Sequence, residues 1–234
     1  TECPLIVMLL FQLYQQYIHS NVPTLIPLMM GALALRPPEP ACHQHSGRHK
    51  DLIACQVKTL SFLTYLLRVF SQLMVPFEDQ LTSSVVKMLR GCPADAVASR
   101  KELLVATRHI LATEFRKGFF SQVDELLDEK VLVGNGKQTV AQQLRPLAYS
   151  TLADLVHHVR NKLTLPQLSR VIHTFSRNIH DTTLPLTMQS TSVKLLLNLL
   201  DYIFQNKEQD ARIGKLLLLR ILQPLVYKFN TLYI

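Results

Sequence analysis

Stripes of apolar residues at helical spacing are the feature of this sequence that most restricts its fold. In the segment from Leu144 to Arg160, LRPLAYSTLADLVHHVR, apolar side chains recur every three or four positions. This spacing places them on one side of a helix, which must then be buried against another element. Pro146 lies inside the pattern and removes an amide donor, so we expect a bend or a new helix start there. The segment therefore predicts an amphipathic helix that depends on its neighbours.

The same pattern predicts further helices along most of the chain. The predicted helices cover residues 4–17, 22–35, 51–74, 78–90, 100–115, 119–132, 144–160, 168–179, 186–204 and 213–234. Short connections between amphipathic helices favour antiparallel neighbours, and the pairs follow one another roughly every 40–50 residues. We therefore predict an all-α fold, an α-solenoid of HEAT-like antiparallel helix pairs, over residues 1–234. Because the end helices carry no polar caps, we expect the chain to be part of a longer solenoid.

A few stretches depart from this pattern. Residues 36–50 contain Pro37, Pro38 and Pro40 and no apolar period, which predicts an exposed loop between repeats. Residues 130–133 resemble a short strand. Residues 134–136, Gly-Asn-Gly, predict a helix stop with glycine at positive φ, and they lack the remaining residues of a phosphate-binding P-loop.

Charge and cysteine content limit the possible partners. The formal net charge of +8 and the isoelectric point near 9.4 favour acidic partners, but the basic residues are dispersed, so we do not expect direct nucleic-acid binding. The four cysteines contain no C-x-x-C pair, which favours reduced thiols in a cytosolic or nuclear protein. No apolar run examined is long and continuous enough to cross a membrane, and no signal peptide is visible.

One cluster of cysteine and histidine residues is a candidate metal site. Cys42, His43, His45, His49 and Cys55 offer zinc ligands, but their spacing matches no compact zinc module. We therefore predict a solvated loop with a buried cysteine, Cys55, rather than a metal site.

A search for catalytic residues predicts none. Asp124, Glu125, Asp128 and Glu129 lie together near a helix end, but no histidine converges on them, which indicates a solvated acidic face. Hydrolase and kinase motifs are not found in the sequence. We therefore predict no catalytic residue and no cofactor site.

Two helix surfaces are candidates for protein docking. On the predicted helix 168–179, Arg170, His173, Arg177 and His180 lie opposite the apolar stripe, which predicts an exposed basic surface for an acidic peptide or phosphates. On the predicted helix 100–115 the outer strip, which includes His109 and Thr113 and extends to Arg116, mixes small apolar and polar groups. Such a strip suits an acidic amphipathic helix. A plain solvated face is the alternative for both surfaces.

Several long segments of this sequence resemble one known family. They are RKELLVATRHILATEFRKGFF (Arg100–Phe120), VDELLDEKVLVGNG (Val123–Gly136), LRPLAYSTLADLVHHVR (Leu144–Arg160) and KLLLNLLD (Lys194–Asp201). In this order they resemble the TRRAP family, very large transcription-associated pseudokinase scaffolds related to the phosphatidylinositol-3-kinase-like kinases.

The resemblance implies an internal segment of the HEAT solenoid, before the FAT and kinase-like regions. It also implies a nuclear, non-catalytic scaffold in histone acetyltransferase coactivator complexes of the SAGA type, which docks acidic transcription activators and other subunits at chromatin. No catalytic residue is carried over, because the family's kinase-like domain is inactive and lies outside this segment.

Other classes of protein remain alternatives at this point. A nuclear transport receptor or another protein-interaction solenoid of the HEAT or armadillo type would share the helical pattern, although a transport receptor should have an acidic inner groove. A fragment of an active kinase is a further alternative, which only the sequence downstream could test.

Overall fold

The computed structural model confirms the all-α prediction. It describes residues 3–14, 19–38, 42, 44–135, 138–205 and 211–232, and these ranges contain helices and connections but no strand. The long helices are α1 (Cys3–Leu13), α2 (Val22–Ala34), α3 (Ser46–Val69), α4 (Glu78–Gly91), α5 (Val97–Leu111), α6 (Gln138–Val159), α7 (Leu165–His180), α8 (Leu186–Gln205) and α9 (Ala211–Leu232). Short helical turns are His19–Asn21, Ser71–Met74, Val75–Phe77, Glu114–Gln122, Val123–Leu126, Glu129–Leu132 and Arg160–Lys162.

The long helices alternate between two layers. In the first layer α1 contacts α3, and α3, α5, α6 and α8 then contact one another in that order. In the second layer α2 contacts α4, α4 contacts the turns between residues 114 and 132, and α7 contacts α9. Alternation of this kind is the arrangement of stacked helix pairs in an α-solenoid.

Apolar stripes form the core between the layers. On α7 the predicted inner residues are all buried, namely Leu168, Val171, Ile172, Phe175 and Ile179. Apolar residues of the predicted helix 51–74, from Ile53 to Met74, form a stripe that is also buried, but the helix ends at Val69 and a separate turn begins at Ser71. The stripe therefore identified the buried face correctly and one helix boundary incorrectly.

Two predicted boundaries near loops and prolines are wrong. Helix α3 begins at Ser46, inside the predicted loop 36–50, and Lys50 in its first turns forms an ion pair with Asp95. Helix α6 begins at Gln138 and continues through Pro146 without a new start. Gln142, four residues before this proline, is exposed, so water can bind the carbonyl that the proline leaves unpaired.

The segment that follows α5 in the second layer, residues 114–132, is not one continuous helix, and we call it the broken segment. We predicted one helix over residues 119–132 and a strand-like piece at 130–133, whereas the chain forms a 3₁₀ segment, Glu114–Gln122, and two short turns. Thr113 and Asp128 cap two of these pieces, and Asp128 Oδ1 accepts a hydrogen bond from Lys130 N at 2.9 Å. A 3₁₀ helix repeats every three residues, so it keeps an apolar spacing similar to that of an α-helix.

A buried arginine connects the broken segment to its neighbours. Arg100 is 3% exposed, and its guanidinium donates hydrogen bonds to Val131 O at 2.7 Å and to Cys92 O at 2.9 Å. Gly134 has a φ of 92°, and a Cβ at this position would lie 2.9 Å from the Arg100 side chain. The predicted helix stop with a positive-φ glycine is confirmed at Gly134, and the glycine also leaves space for the guanidinium.

A second polar cluster joins the turn Glu129–Leu132 to α6 and α7. Glu129 accepts hydrogen bonds from Tyr149 OH and from Arg177 Nη2, the latter at 2.8 Å. Beside it, Arg145 lies over the Tyr149 ring and donates a hydrogen bond of 2.5 Å to Asp181. Burial raises the pKa of Glu129, but hydrogen bonds from Tyr149 and Arg177 and the charges of Arg177 and Arg145 outweigh it and hold the pKa below its usual range.

Two helices are more apolar than a surface helix requires. Helix α3 is long and apolar enough to cross a membrane, but half of its most apolar stretch is buried within the protein, as in a core helix. The absence of a membrane partner stays a prediction. Helix α9 buries Leu217, Ile221 and Leu225 and exposes Leu216, Leu222 and other apolar residues on its remaining sides. Apolar side chains exposed on a helix beyond its buried stripe are typical of a surface that contacts another part of a larger assembly.

Replacement of Arg100 by leucine should lower the free energy of unfolding by about 3 kcal/mol, because two buried carbonyl groups lose their donor. Urea denaturation measures this change. The matched control is Arg90→Leu, which breaks the exposed Arg90–Glu125 pair and should cost less than about 1 kcal/mol. Similar losses in the two variants would contradict the role assigned to Arg100.

The Glu129 cluster predicts a dependence of stability on pH. Because the folded-state pKa of Glu129 lies below its unfolded value, its contribution is present above the unfolded pKa and is lost as pH falls through the folded pKa. Glu129→Gln should lower the free energy of unfolding by about 1 kcal/mol near neutral pH. The effect is small because the Glu129–Arg177 ion pair is partly exposed, so solvent screens it. The difference from the parent protein should shrink as pH falls towards about 3.

The control for this experiment is Glu102→Gln, at an exposed position on α5. Its difference from the parent protein should be small at every pH, as measured by urea denaturation. A Glu129→Gln difference that is independent of pH would exclude the carboxylate as its source.

Candidate protein-docking site

A groove of about 1040 Å³ lies between α7 and α9 in the second layer. We call it the α7–α9 groove. One wall carries Arg170, His173 and Arg177 of α7, the other carries Arg220 and Tyr227 of α9. Leu127 and Glu129, from the broken segment, also line it. The groove therefore contains all four residues of the predicted basic surface, His180 included, together with residues from two further elements.

Arg170 and Arg177 are exposed, but the positive charge of each is paired with a carboxylate. Arg170 Nη1 lies 3.1 Å from Asp124 Oδ1, and Arg177 Nη2 lies 2.8 Å from Glu129 Oε2. In the predicted solvated acidic face Asp124 and Asp128 are exposed, but Asp124 and Glu129 are paired with these two arginines. The acidic residues come from the broken segment and neutralise two arginines of α7, so the two sequence features cancel each other in part.

His180 forms the aromatic end of the α7–α9 groove. Its Nε2 lies 3.1 Å from the Pro224 carbonyl oxygen, which can only accept, so Nε2 carries the proton. Its ring meets the Tyr227 ring edge to face, with centroids 5.1 Å apart. Tyr227 is 62% exposed and offers an aromatic surface to a partner.

Arg220 supplies the positive charge that is not neutralised in the groove, and the exposed His173 ring also lines the groove. Arg220 Nη1 donates a hydrogen bond of 2.9 Å to Ser169 Oγ. Among the residues that the structure describes, no carboxylate pairs with Arg220, and His173 is exposed without a hydrogen-bond partner. The groove therefore combines surplus positive charge at one end with an exposed aromatic ring at the other.

The second predicted surface is divided between two places. Val105 and His109 line a furrow of about 530 Å³ between α3 and α5 in the first layer, which we call the α3–α5 furrow. His109 Nδ1 accepts a hydrogen bond of 2.9 Å from Arg68, because a guanidinium can only donate. Thr113 and Arg116 lie outside this furrow: the Thr113 hydroxyl bonds Ile110 O at 2.7 Å, and Arg116 pairs with Glu114 at 2.9 Å.

Sequence reasoning missed the residues of α9 that complete the groove. Arg220, Gln223 and Tyr227 are three and four positions apart, so they share one side of the helix. That polar spacing within an otherwise apolar helix was the available signal. The pairing of Arg170 and Arg177 had no local signal, because their partners are 46 and 48 residues away.

Metal-binding groups do not converge in the described part of the chain. No group of three or more His, Cys, Asp or Glu residues is positioned to hold a metal ion there. Cys42 and His49 line one cavity with Asp95, which pairs with Lys50, whereas His43 lies outside the described residues. Cys42, Cys55 and Cys92 are free thiols. The absence of a zinc site therefore stays a prediction.

Comparison with known proteins identifies close relatives over the whole chain. The chain is 45% identical over 235 aligned residues to the human transformation/transcription domain-associated protein, and the match covers 99% of the chain and 6% of that protein. It is 40% identical to the probable transcription-associated protein 1 of Dictyostelium discoideum, over 99% of the chain and 5% of that protein. It is 34% identical to the Saccharomyces cerevisiae SAGA complex/NuA4 acetyltransferase complex subunit TRA1, over 99% of the chain and 7% of that protein.

The chain thus spans only about 6% of the length of the human relative. Residues 48–233 match the family model described as the Tra1 HEAT repeat central region. This match agrees with the two alternating layers of helices and with the resemblance of the four sequence segments to this family. The chain belongs to the TRRAP/Tra1 family and forms part of the central HEAT repeat region of that family.

Proposed function

We propose that this segment is a non-catalytic scaffold in the nuclear subunit of a histone acetyltransferase complex of the SAGA or NuA4 type. In this role it docks transcription activators and other subunits. The observation that carries the proposal is the match of residues 48–233 to the central HEAT region, because stacked helices of this type provide extended binding surfaces. The names of the yeast relatives as SAGA and NuA4 subunits supply the type of complex.

Ion pairs near the groove occupy the groups that a catalytic mechanism would need. The carboxylates that an acid/base mechanism would use, Asp124 and Glu129, are held by Arg170 and Arg177. The Tyr149 hydroxyl, a further candidate acid, has a pKa raised by burial and by Glu129. These groups join the broken segment to α6 and α7, so their contacts are explained by the stability of the fold.

Acidic segments of transcription activators are the partners that fit the α7–α9 groove. Such segments combine carboxylates with aromatic or aliphatic side chains, and the groove offers Arg220 and His173 beside the exposed Tyr227 ring. Charge complementarity favours encounter and fixes orientation, whereas the aromatic contact contributes buried apolar area. The cationic groove also speaks against a transport receptor for basic cargo, which would require an acidic surface.

The α3–α5 furrow is the less selective of the two surfaces. Val105 offers exposed apolar area between small residues, but Lys101 and Glu102 place both signs of charge at its edge. An acidic helix would therefore gain less from electrostatic attraction here than in the α7–α9 groove. We propose the groove, with Arg170, His173, Arg177 and His180, as the activator site and keep His109 as a contact of a second surface.

Membership of an acetyltransferase complex can be tested on the full-length protein. Affinity purification of the tagged protein from its own nuclei should recover acetyltransferase activity on nucleosomal histones. An untagged extract taken through the same steps measures the background. Purification of the intact protein without acetyltransferase activity would contradict the proposed complex.

Substitutions in the groove should weaken binding of an acidic peptide. His173→Glu should reduce the affinity about five-fold or more, because it adds a negative charge to the site, and Tyr227→Ala should reduce it by removing an aromatic contact. Fluorescence polarisation with a labelled Asp/Glu-rich peptide containing phenylalanine measures the affinity. The same peptide with its carboxylates replaced by amides should bind weakly to every form of the protein.

Lys194→Glu is the matched control for these variants. It lies at an exposed position on α8, outside the residues that line the groove, and changes the net charge by more than His173→Glu does. It should leave the affinity within about two-fold of the parent value. If Lys194→Glu weakened binding as much as His173→Glu, the attraction would be a property of overall charge and the groove would be rejected as the site.

A further inference from the structure

The Arg220 end of the α7–α9 groove holds several hydrogen-bond donors. Arg220 uses one nitrogen, Nη1, for Ser169 Oγ, and a guanidinium has five N–H donors in total. His173 is exposed one helical turn after Ser169. Ser176 also lines the groove, and its Oγ is buried without a hydrogen-bond partner among the described residues. Donors from two helices therefore face the same concave surface.

Arg170 and Arg177 each have a carboxylate partner, which Arg220 lacks among the described residues. Arg170 and Arg177 face Asp124 and Glu129, so their charges are balanced by the protein itself. Arg220 and His173 have no such carboxylate among the described residues. A ligand that enters the groove therefore meets its strongest uncompensated attraction at Arg220.

We propose that the Arg220 end of the groove binds a phosphorylated serine or threonine within an acidic partner segment. This inference rests on the proposed function and adds the preferred ligand of the same groove. A phosphoryl group carries nearly two negative charges near neutral pH and has three terminal oxygens, whereas a carboxylate has one charge and two oxygens. Three oxygens can accept hydrogen bonds from the Arg220 fork, from His173 and from a serine hydroxyl together.

The geometry also gives the site an orientation. Ser169 accepts a hydrogen bond from Arg220, which restricts the guanidinium before a ligand arrives. At the other end, the His180–Tyr227 contact holds an aromatic surface for an apolar residue of the same segment. A phosphoserine with an aromatic or aliphatic neighbour in sequence therefore matches the groove better than a uniform run of acidic residues.

The test compares three peptides that differ at one position. They share an acidic sequence with one phenylalanine and carry serine, phosphoserine or glutamate at the same place. Isothermal titration calorimetry measures each affinity for the parent chain. We expect phosphoserine to bind at least ten-fold more tightly than serine, with glutamate between them.

Variants at Arg220 locate the effect. Arg220→Gln should reduce the ratio of phosphoserine to serine affinity to about two or less, and Arg220→Lys should reduce it only in part, since lysine keeps the charge but loses the bidentate fork. Arg212→Gln, at an exposed position of the same helix outside the groove, should keep the parent ratio. Circular dichroism and thermal unfolding confirm that each variant keeps the fold.

The possible outcomes separate this inference from the proposed function. If serine and phosphoserine peptides bind equally well, the phosphate site is rejected while acidic docking stands. If neither peptide binds, the docking function proposed for the groove fails. A phosphoserine preference that survives in Arg220→Gln would place the site elsewhere. If duplex DNA at equal phosphate concentration displaces the phosphopeptide, the surface is a general polyanion site and the inference is overturned.

Discussion

Burial of apolar faces between two layers of helices is the constraint on which the rest of this structure depends. A helix such as α8 contacts α6, α7 and α9, so it covers its apolar side only through several neighbours at once. A single pair would leave much of this surface in water, which explains why such pairs occur stacked. Because packing determines the inner faces, chemical variety is confined to the outer faces and to the spaces between adjacent helices. Both candidate surfaces are spaces of this kind.

The broken segment between residues 114 and 132 shows how polar contacts replace regular packing. This part of the second layer contains short turns where the other pairs have a long helix. Arg100 and Arg177 attach it to α5 and α7 through hydrogen bonds to Val131 O and to Glu129. The same contacts determine the charge of the α7–α9 groove, because Glu129 stabilises the segment and neutralises Arg177. The groove keeps a positive surplus only where this segment supplies no carboxylate.

The sequence predicted the features of this protein that depend on local periodicity. The inner stripe of α7 and the positive φ of Gly134 were correct because apolar spacing and glycine preference act over a few residues. The break at residues 119–132 was missed since Phe119, Val123 and Leu126 fit an α-helix almost as well as they fit a series of short turns. Local spacing therefore identifies the buried faces better than the continuity of a helix.

The charged surface was harder to predict because it depends on contacts between distant segments. The basic residues of α7 and the acidic residues of the broken segment were both visible, and they indicated an exposed basic surface and a solvated acidic face respectively. The net charge of the surface became apparent only from the structure, in which Arg170 pairs with Asp124, 46 residues earlier in the sequence. In a two-layer solenoid, a helix of one layer lies beside the corresponding helix of the next pair. Charge patterns should therefore be compared between segments about one repeat apart, since those segments share a groove. On that basis the charge of Arg220 has no carboxylate partner among the described residues, because Ser169, a neutral residue, occupies the position opposite it, 51 residues earlier in the chain.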